Sequence, residues 1–284
     1  MIVYHAKIND YTKHYMKHIL FFISLILCGI IINAQNKTVA MAQFKAMSNA
    51  VFISQPYIQT LQKTKSSAMT QATENKLIQI FFLADGIKNN SIELDGWTLN
   101  EGGYGFTIYF KPGFKNGTWK TNAKDNYNTA VSYIDIRFNF EKKDTVLVLY
   151  HYSKAKKLLS RTNFLKSNAA FSTGGYSGYL HYQVNKTLLA GKWTDNDMSV
   201  EFTCEGKVNG FNDAVKYEME LFTIKPTMQD NKIYDAVTFT NATGNTKNYL
   251  WLMEENKLIL YERLDKDNYM YKPGKLLYTL EKNE

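Results

Sequence analysis

Between Ile134 and Phe140 every second residue is apolar: Ile134, Ile136, Phe138 and Phe140 alternate with Asp135, Arg137 and Asn139. Neighbouring side chains of an extended strand point to opposite sides, so this stretch can bury one face and wet the other. A helix would scatter the same residues around its circumference. The turn Glu141-Lys142-Lys143-Asp144 then leads into Val146, Val148 and Tyr150 alternating with Leu147 and Leu149, which reads as a hairpin. The period of two recurs at Ile92–Leu94, Phe106–Phe110, Val200–Cys204 and Tyr217–Leu221, and in a pair running through Tyr249–Met253 and Leu258–Leu260. Short strands at such spacing, joined by polar turns, predict a mainly β protein: an antiparallel meander or barrel, or a sandwich. Composition agrees, since aromatics make up 14% of the chain and favour pleated surfaces, while only four prolines interrupt potential ladders.

The N-terminus carries a different pattern. Met16-Lys17-His18 precedes an apolar run from Ile19 to Ile32, which ends at Ile32-Asn33-Ala34. Fourteen residues at about 1.5 Å each are too short for a bilayer core, which needs roughly 20 residues. A basic start, a short apolar run and a small terminal residue fit a cleavable signal peptide over residues 1–34. The expected destination is therefore outside the cytoplasm: periplasm, exterior or outer envelope. Met16 is an alternative start to Met1. Lipidation at Cys28 is a rival reading, although Leu27 is larger than the residue that usually precedes a lipidated cysteine. Cleavage after Ala34 leaves Cys204 as the sole cysteine and excludes an internal disulfide.

Residues 35–90 read as a partly helical segment. Phe44, Met47 and Val51 share helical spacing, which predicts a helix from about Val39 to Ile53 stopped near Pro56. Lys63–Glu74 reads as a loop or short helix, and Leu77–Leu83 as a buried strand or a helix. Residues 91–187 form a β-rich region that ends in a loop-like stretch, Arg161–Ser177. Residues 188–284 form a second β-rich block.

That second block opens with Gly191-Lys192-Trp193 and carries Arg263 near its end. In this it resembles the lipocalin-like barrels, whose first strand has Gly-x-Trp and whose late strand supplies an arginine over the indole. The resemblance implies that Gly191 lets the backbone bend, that Trp193 closes the barrel floor, and that Arg263 stacks on the ring. All three would be structural. A generic β-sandwich is the competing architecture, and a second Gly-x-Trp occurs at Gly117-Thr118-Trp119.

No catalytic, cofactor or metal set emerges. His151 and His181 are the only histidines beyond the signal, each beside tyrosines, and both read as strand histidines. No spacing gives either of them companion ligands. Gly174-Gly175-Tyr176-Ser177-Gly178 misplaces Ser177 for a nucleophile elbow, and like Gly102-Gly103-Tyr104 it reads as a loop. Glu218 and Glu220 share a strand face, as solvated carboxylates do, and glycosidase work would also require a cleft.

The net charge of +8 comes with only three arginines and dispersed lysines, which argues against nucleic acid. The densest basic run, Lys154–Arg161, is either a solvated face or a contact for an anion or envelope polymer. These readings favour an exported, non-enzymatic binding protein that takes an apolar or amphiphilic small ligand inside a barrel. An envelope interaction protein contacting glycans or a partner protein is the first alternative, and a carboxylate-dependent hydrolase the second. Membrane contact is expected only through a lipidated Cys28.

Overall fold

A computed structural model describes residues 37–283, except 74–76, 84, 89, 99–101, 126–127, 142–143, 170–174, 196, 222–226 and 267–269. The segment expected to be a signal peptide, residues 1–34, and with it Cys28, lies outside the described residues. The chain forms two compact units, Met1–Ser48 and Asn49–Glu284. In the first, residues 37–46 form helix α1. The predicted helix therefore ends early, because Val51–Ser54 is strand β1. Pro56 does not stop a helix but starts one. It lies in the first turn of α2 (Gln55–Thr64), where its missing N–H costs nothing, and Ser54 caps that helix by accepting the Tyr57 N–H.

The second unit is mainly β. Its first part is a closed, antiparallel, eight-stranded barrel of consecutive strands. After β1 come β2 (Leu77–Phe81), β3 (Ser91–Thr98), β4 (Gly102–Pro112), β5 (Trp119–Thr121), β6 (Tyr133–Glu141), β7 (Asp144–Tyr152) and β8 (Leu158–Lys166). Closure is the pairing of β1 with β8, Ile53 opposite Leu165. Strands from both sides of residue 90 thus join one barrel. The alternation of β6 does bury Ile134, Ile136 and Phe138, and the predicted hairpin is present with Glu141 opposite Asp144. Phe52, Phe82 and Phe138 meet with ring centroids 5.4–5.7 Å apart. Eight strands leave an interior that side chains of this size fill.

Three expectations fail in this part. The Gly102-Gly103-Tyr104 string belongs to strand β4, where the two glycines take their places in the ladder opposite Thr98 and Trp97. The first part of the expected loop, Arg161–Lys166, belongs to strand β8, which pairs with β7 and β1. Asp135, expected on a wet face, is 1% exposed because the turn after Pro112 folds over it. Its carboxylate accepts the Phe114 N–H at 2.5 Å and the Thr118 hydroxyl at 3.3 Å.

The second part begins with helix α4 (Gly175–Leu188), which the sequence reading missed. A sheet follows: β9 (Gly191–Asp195), β10 (Met198–Phe202), β11 (Val208–Asn209), β12 (Ala214–Met219), β13 (Thr227–Gln229), β14 (Lys232–Asn241), β15 (Thr246–Glu254), β16 (Lys257–Lys266) and β17 (Met270–Lys282). The last strand pairs with β9, Lys282 opposite Trp193. The sheet's path runs β11-β10-β9-β17-β16-β15-β14-β12, and its two edges approach at a single bridge, Lys207 to Lys216. The alternation again sets one buried face: Val200 and Phe202, Tyr217 and Met219, Val237 and Phe239, Tyr249 and Trp251, Leu258 and Leu260. These residues form one continuous apolar core with Val51, Ile53, Tyr57, Leu61 and Phe81 of the first part.

The tight turn before Phe211 depends on Gly210. Its φ of +80° suits glycine, and a β-carbon there would collide with the Ser199 carbonyl oxygen. Gly210→Ala should therefore cost at least about 2 kcal/mol in urea unfolding, from left-handed strain plus displacement of β10.

Candidate functional site

The sheet's seam and helix α4 together build a cleft. Near the meeting edges the ladder is thin: Tyr217 N–H donates to the Gly206 carbonyl at 2.8 Å, and the Tyr217 hydroxyl donates to the Thr203 carbonyl at 2.6 Å. The remaining backbone groups need other partners, and α4 supplies one, since Asn185 Nδ2 donates to the Cys204 carbonyl at 3.1 Å. The helix is held against the core by Leu180, Val184 and Leu188, all buried and spaced four apart. Phe81 meets Tyr179 edge-on, with ring centroids 6.4 Å apart. The adjoining side of α4 sets His181 against Glu218 of β12, and Tyr182 and Asn185 against Cys204 in the turn after β10.

The resulting cavity has a volume of 270 Å³, lined by Gly178, His181, Tyr182, Asn185, Cys204 and Glu218 with the neighbouring Glu205, Gly206, Lys216, Tyr217 and Thr240. His181 is therefore a helix residue at a cleft, not a strand histidine. Its Nε2 lies 3.7 Å from Glu218 Oε1, a carboxylate 76% exposed. Burial holds the imidazole below its ordinary value, with Glu218 opposing, so the ring is neutral at pH 7. Burial pushes the Cys204 thiol up, helped by Glu205 and opposed by Lys186, and the Tyr182 phenol is raised as well. A thiol kept protonated is a poor nucleophile. Asn185 is 2% exposed, and its Oδ1 has no hydrogen-bond partner among the described residues. Such a buried acceptor costs about 1–3 kcal/mol until a donor reaches it.

The remaining candidates fall elsewhere. Glu218 and Glu220 do not share a strand face, because β12 ends at Met219, and of the two only Glu218 lines the cleft. His151 lies on β7, with Nε2 3.3 Å from the Thr162 hydroxyl and Nδ1 3.7 Å from Asp125. Among the described residues no group of three His, Cys, Asp or Glu side chains could hold a metal ion, and no helix is long and apolar enough to cross a membrane.

The residues of the Gly-x-Trp motif are placed as follows. Gly191 has a φ of +128°, with Lys282 beside the place of its missing β-carbon. Trp193 is 1% exposed and its indole N–H donates to the Leu189 carbonyl at 2.6 Å. The cation over the indole is Lys282, 5.3 Å from the ring centroid, and not Arg263, which lies 4.1 Å over the Tyr271 ring instead. The reason is register. Lys282 is the direct cross-strand partner of Trp193, whereas Arg263 is opposite Pro273 on a strand that does not touch β9.

The face of the second sheet that an apolar ligand would need is occupied. Phe211 contacts Phe239, Tyr249 and Tyr278 at 4.4–6.0 Å between centroids, and Phe202 packs on Tyr217 at 5.1 Å. A second cavity beside Phe211, Phe239 and Tyr249 measures 60 Å³, space for a water or two. The cleft residues were not singled out as a set from sequence. The one available signal was Leu180, Val184 and Leu188, whose helical spacing puts His181 and Asn185 on one side. Compared with known proteins, the chain matches no family model, no curated protein and no solved structure.

Proposed function

We propose that the protein is a non-enzymatic binding protein of the cell envelope whose cleft between α4 and β12 takes a small, hydroxyl-rich ligand, the sugar unit of a glycan. The observation that carries this reading is the buried Asn185 Oδ1, an acceptor without a donor in a cleft that also offers a neutral imidazole, the Tyr182 phenol and the Glu218 carboxylate. A sugar hydroxyl can donate to one such group while accepting from another, and the Tyr182 ring suits stacking on its apolar side. The cavity of 270 Å³ is close to the small end of ligand sites and fits a monosaccharide better than a lipid chain. On this reading the lipocalin-like resemblance concerns the manner of building a barrel and does not extend to a ligand inside it, because aromatic rings already fill that space. A hydrolase is less well supported: Glu218 is largely exposed, and its sequence neighbour Glu220 does not line the cleft.

Isothermal titration or protein-observed NMR with glucose, galactose and N-acetylglucosamine tests the proposal. Saturable binding in the millimolar range, about −4 kcal/mol, is expected for at least one of them. Asn185→Ala and His181→Ala should each weaken it about tenfold, the worth of one hydrogen bond. Because His181 is held below its usual pKa, affinity should be level near neutrality and decline only in acid, as the ring gains its proton. Absence of saturable binding to all three sugars would contradict the reading.

A further inference from the structure

A second surface lies on the first barrel, away from β11 and β12. Strand register places Lys120, Asp135, Tyr150 and Arg161 side by side across β5, β6, β7 and β8. Asp135 and the Tyr150 ring are both sealed beneath the turn that carries Phe114, so at the surface this row presents the cations Lys120 and Arg161. Lys115 Nζ lies 5.0 Å over the Tyr150 ring, while Lys120 and Lys156 lie 5.6 and 5.7 Å over the Phe114 ring. Phe114 in turn packs edge-on against Tyr133 and Tyr152 at 5.3 and 5.1 Å. Ring contacts of this kind hold ammonium groups in place without neutralising them. No ion pair engages Lys115, Lys156 or Arg161 among the described residues, and Lys154 and Lys157 add further exposed charge.

Apolar groups sit beside these cations. Leu158, Leu159 and Tyr133 are 47%, 44% and 41% exposed, and Leu158 pairs directly with Tyr152. For a soluble partner, the leucines of such a rim contribute little. For a membrane surface they enter the headgroup layer while the lysines meet anionic lipid, which is how interfacial segments combine the two forces.

We propose that this basic, aromatic face of β5–β8, with the leucines that open β8, is a docking surface for an anionic lipid membrane. The proposal is independent of the sugar-binding reading, since it uses no residue of the cleft. The full chain after signal removal should co-sediment with phosphatidylcholine vesicles containing about one-quarter phosphatidylglycerol, and only weakly with phosphatidylcholine alone. Raising salt to about 0.5 M should abolish the preference for anionic vesicles in the unaltered protein, which tests the charge without any substitution. The triple change Lys115→Gln, Lys156→Gln and Arg161→Gln should weaken anionic-vesicle binding about 100-fold, on the order of fivefold per cation. Leu158→Ser with Leu159→Ser should weaken it about tenfold, with an unchanged melting midpoint because both side chains are already half exposed. Lack of sedimentation with anionic vesicles, or undiminished binding by the charge variant, overturns the proposal. So does an unaffected leucine variant that binds a soluble anionic polysaccharide as tightly as it binds vesicles, since that result reassigns the face to a polymer.

Discussion

Replacing Trp193 with alanine is expected to remove about 3–5 kcal/mol of stability. Three elements meet at this side chain. β9 pairs through it with β10, where it faces Val200, and with β17, where it faces Lys282. Its indole N–H closes the end of α4 by donating to the Leu189 carbonyl. Truncation would open a cavity in the continuous core and leave that carbonyl without its donor. Trp193→Phe separates the two effects, because it keeps most of the packing and loses only the hydrogen bond, with an expected cost of about 1–3 kcal/mol. Typical domains hold 5–15 kcal/mol in total, so the alanine variant should unfold at a much lower urea concentration while the phenylalanine variant stays folded. Equal losses in the two variants would mean that packing contributes little at this position.

The second large effect concerns Asp235, which is 4% exposed on β14. Its carboxylate accepts the Ser67 hydroxyl at 2.5 Å and the Ala68 N–H at 2.7 Å, and so ties α3 (Ser67–Thr73) to the second sheet. Asp235→Ala strands both donors in a buried place and should cost about 2–4 kcal/mol. Asp235→Asn retains an acceptor oxygen and should cost about 1 kcal/mol or less at neutral pH. The pH dependence distinguishes the variants further. Burial raises the Asp235 carboxyl above its ordinary value, against the opposing hydrogen bonds from Ser66, Ser67 and Ala68. The folded state therefore holds this proton more tightly than the unfolded chain does. The stability this provides is complete below the ordinary aspartate range near pH 4, and is lost as pH rises from there through the folded value. Asp235→Asn should flatten that segment of the stability curve, as measured by urea midpoints at successive pH values. An identical pH profile in the variant would show that Asp235 does not titrate differently on folding.

How far the fold could be read from the chain follows from which interactions are local. The hairpin of β6 and β7 was legible because Ile134, Ile136 and Phe138 alternate and a four-residue polar turn follows. Closure of the barrel was not, because β1 and β8 are more than a hundred residues apart and nothing in Val51–Ser54 names Phe164 or Leu165 as partners. Helix α4 was missed because Tyr179, His181, Tyr182 and Val184 are residues that also suit strands, and because glycines precede them. Tertiary packing of Leu180, Val184 and Leu188 decided in favour of helix. Proline can stop a helix or open one in its first turn, and at Pro56 only the Ser54 cap distinguishes the two. The lipocalin-like resemblance points to Arg263 for the Trp193 ring, whereas Lys282 holds that place by register. The cleft was invisible for the same reason as the closure: Asn185, Cys204 and Glu218 come from a helix, a turn and a strand that meet only after the sheet has curled.

Aromatic packing closes the interior of the second sheet, and on the proposed reading ligand recognition belongs to the cleft at its seam. Amide chemical-shift mapping during titration with the neutral sugars tests this most directly. Shifts confined to 178–185, 204–206 and 216–218 are the predicted result. Shifts centred on Phe211, Phe239, Tyr249 and Trp251, or their appearance with a fatty acid in place of the sugars, would place the ligand among the core rings and contradict the account.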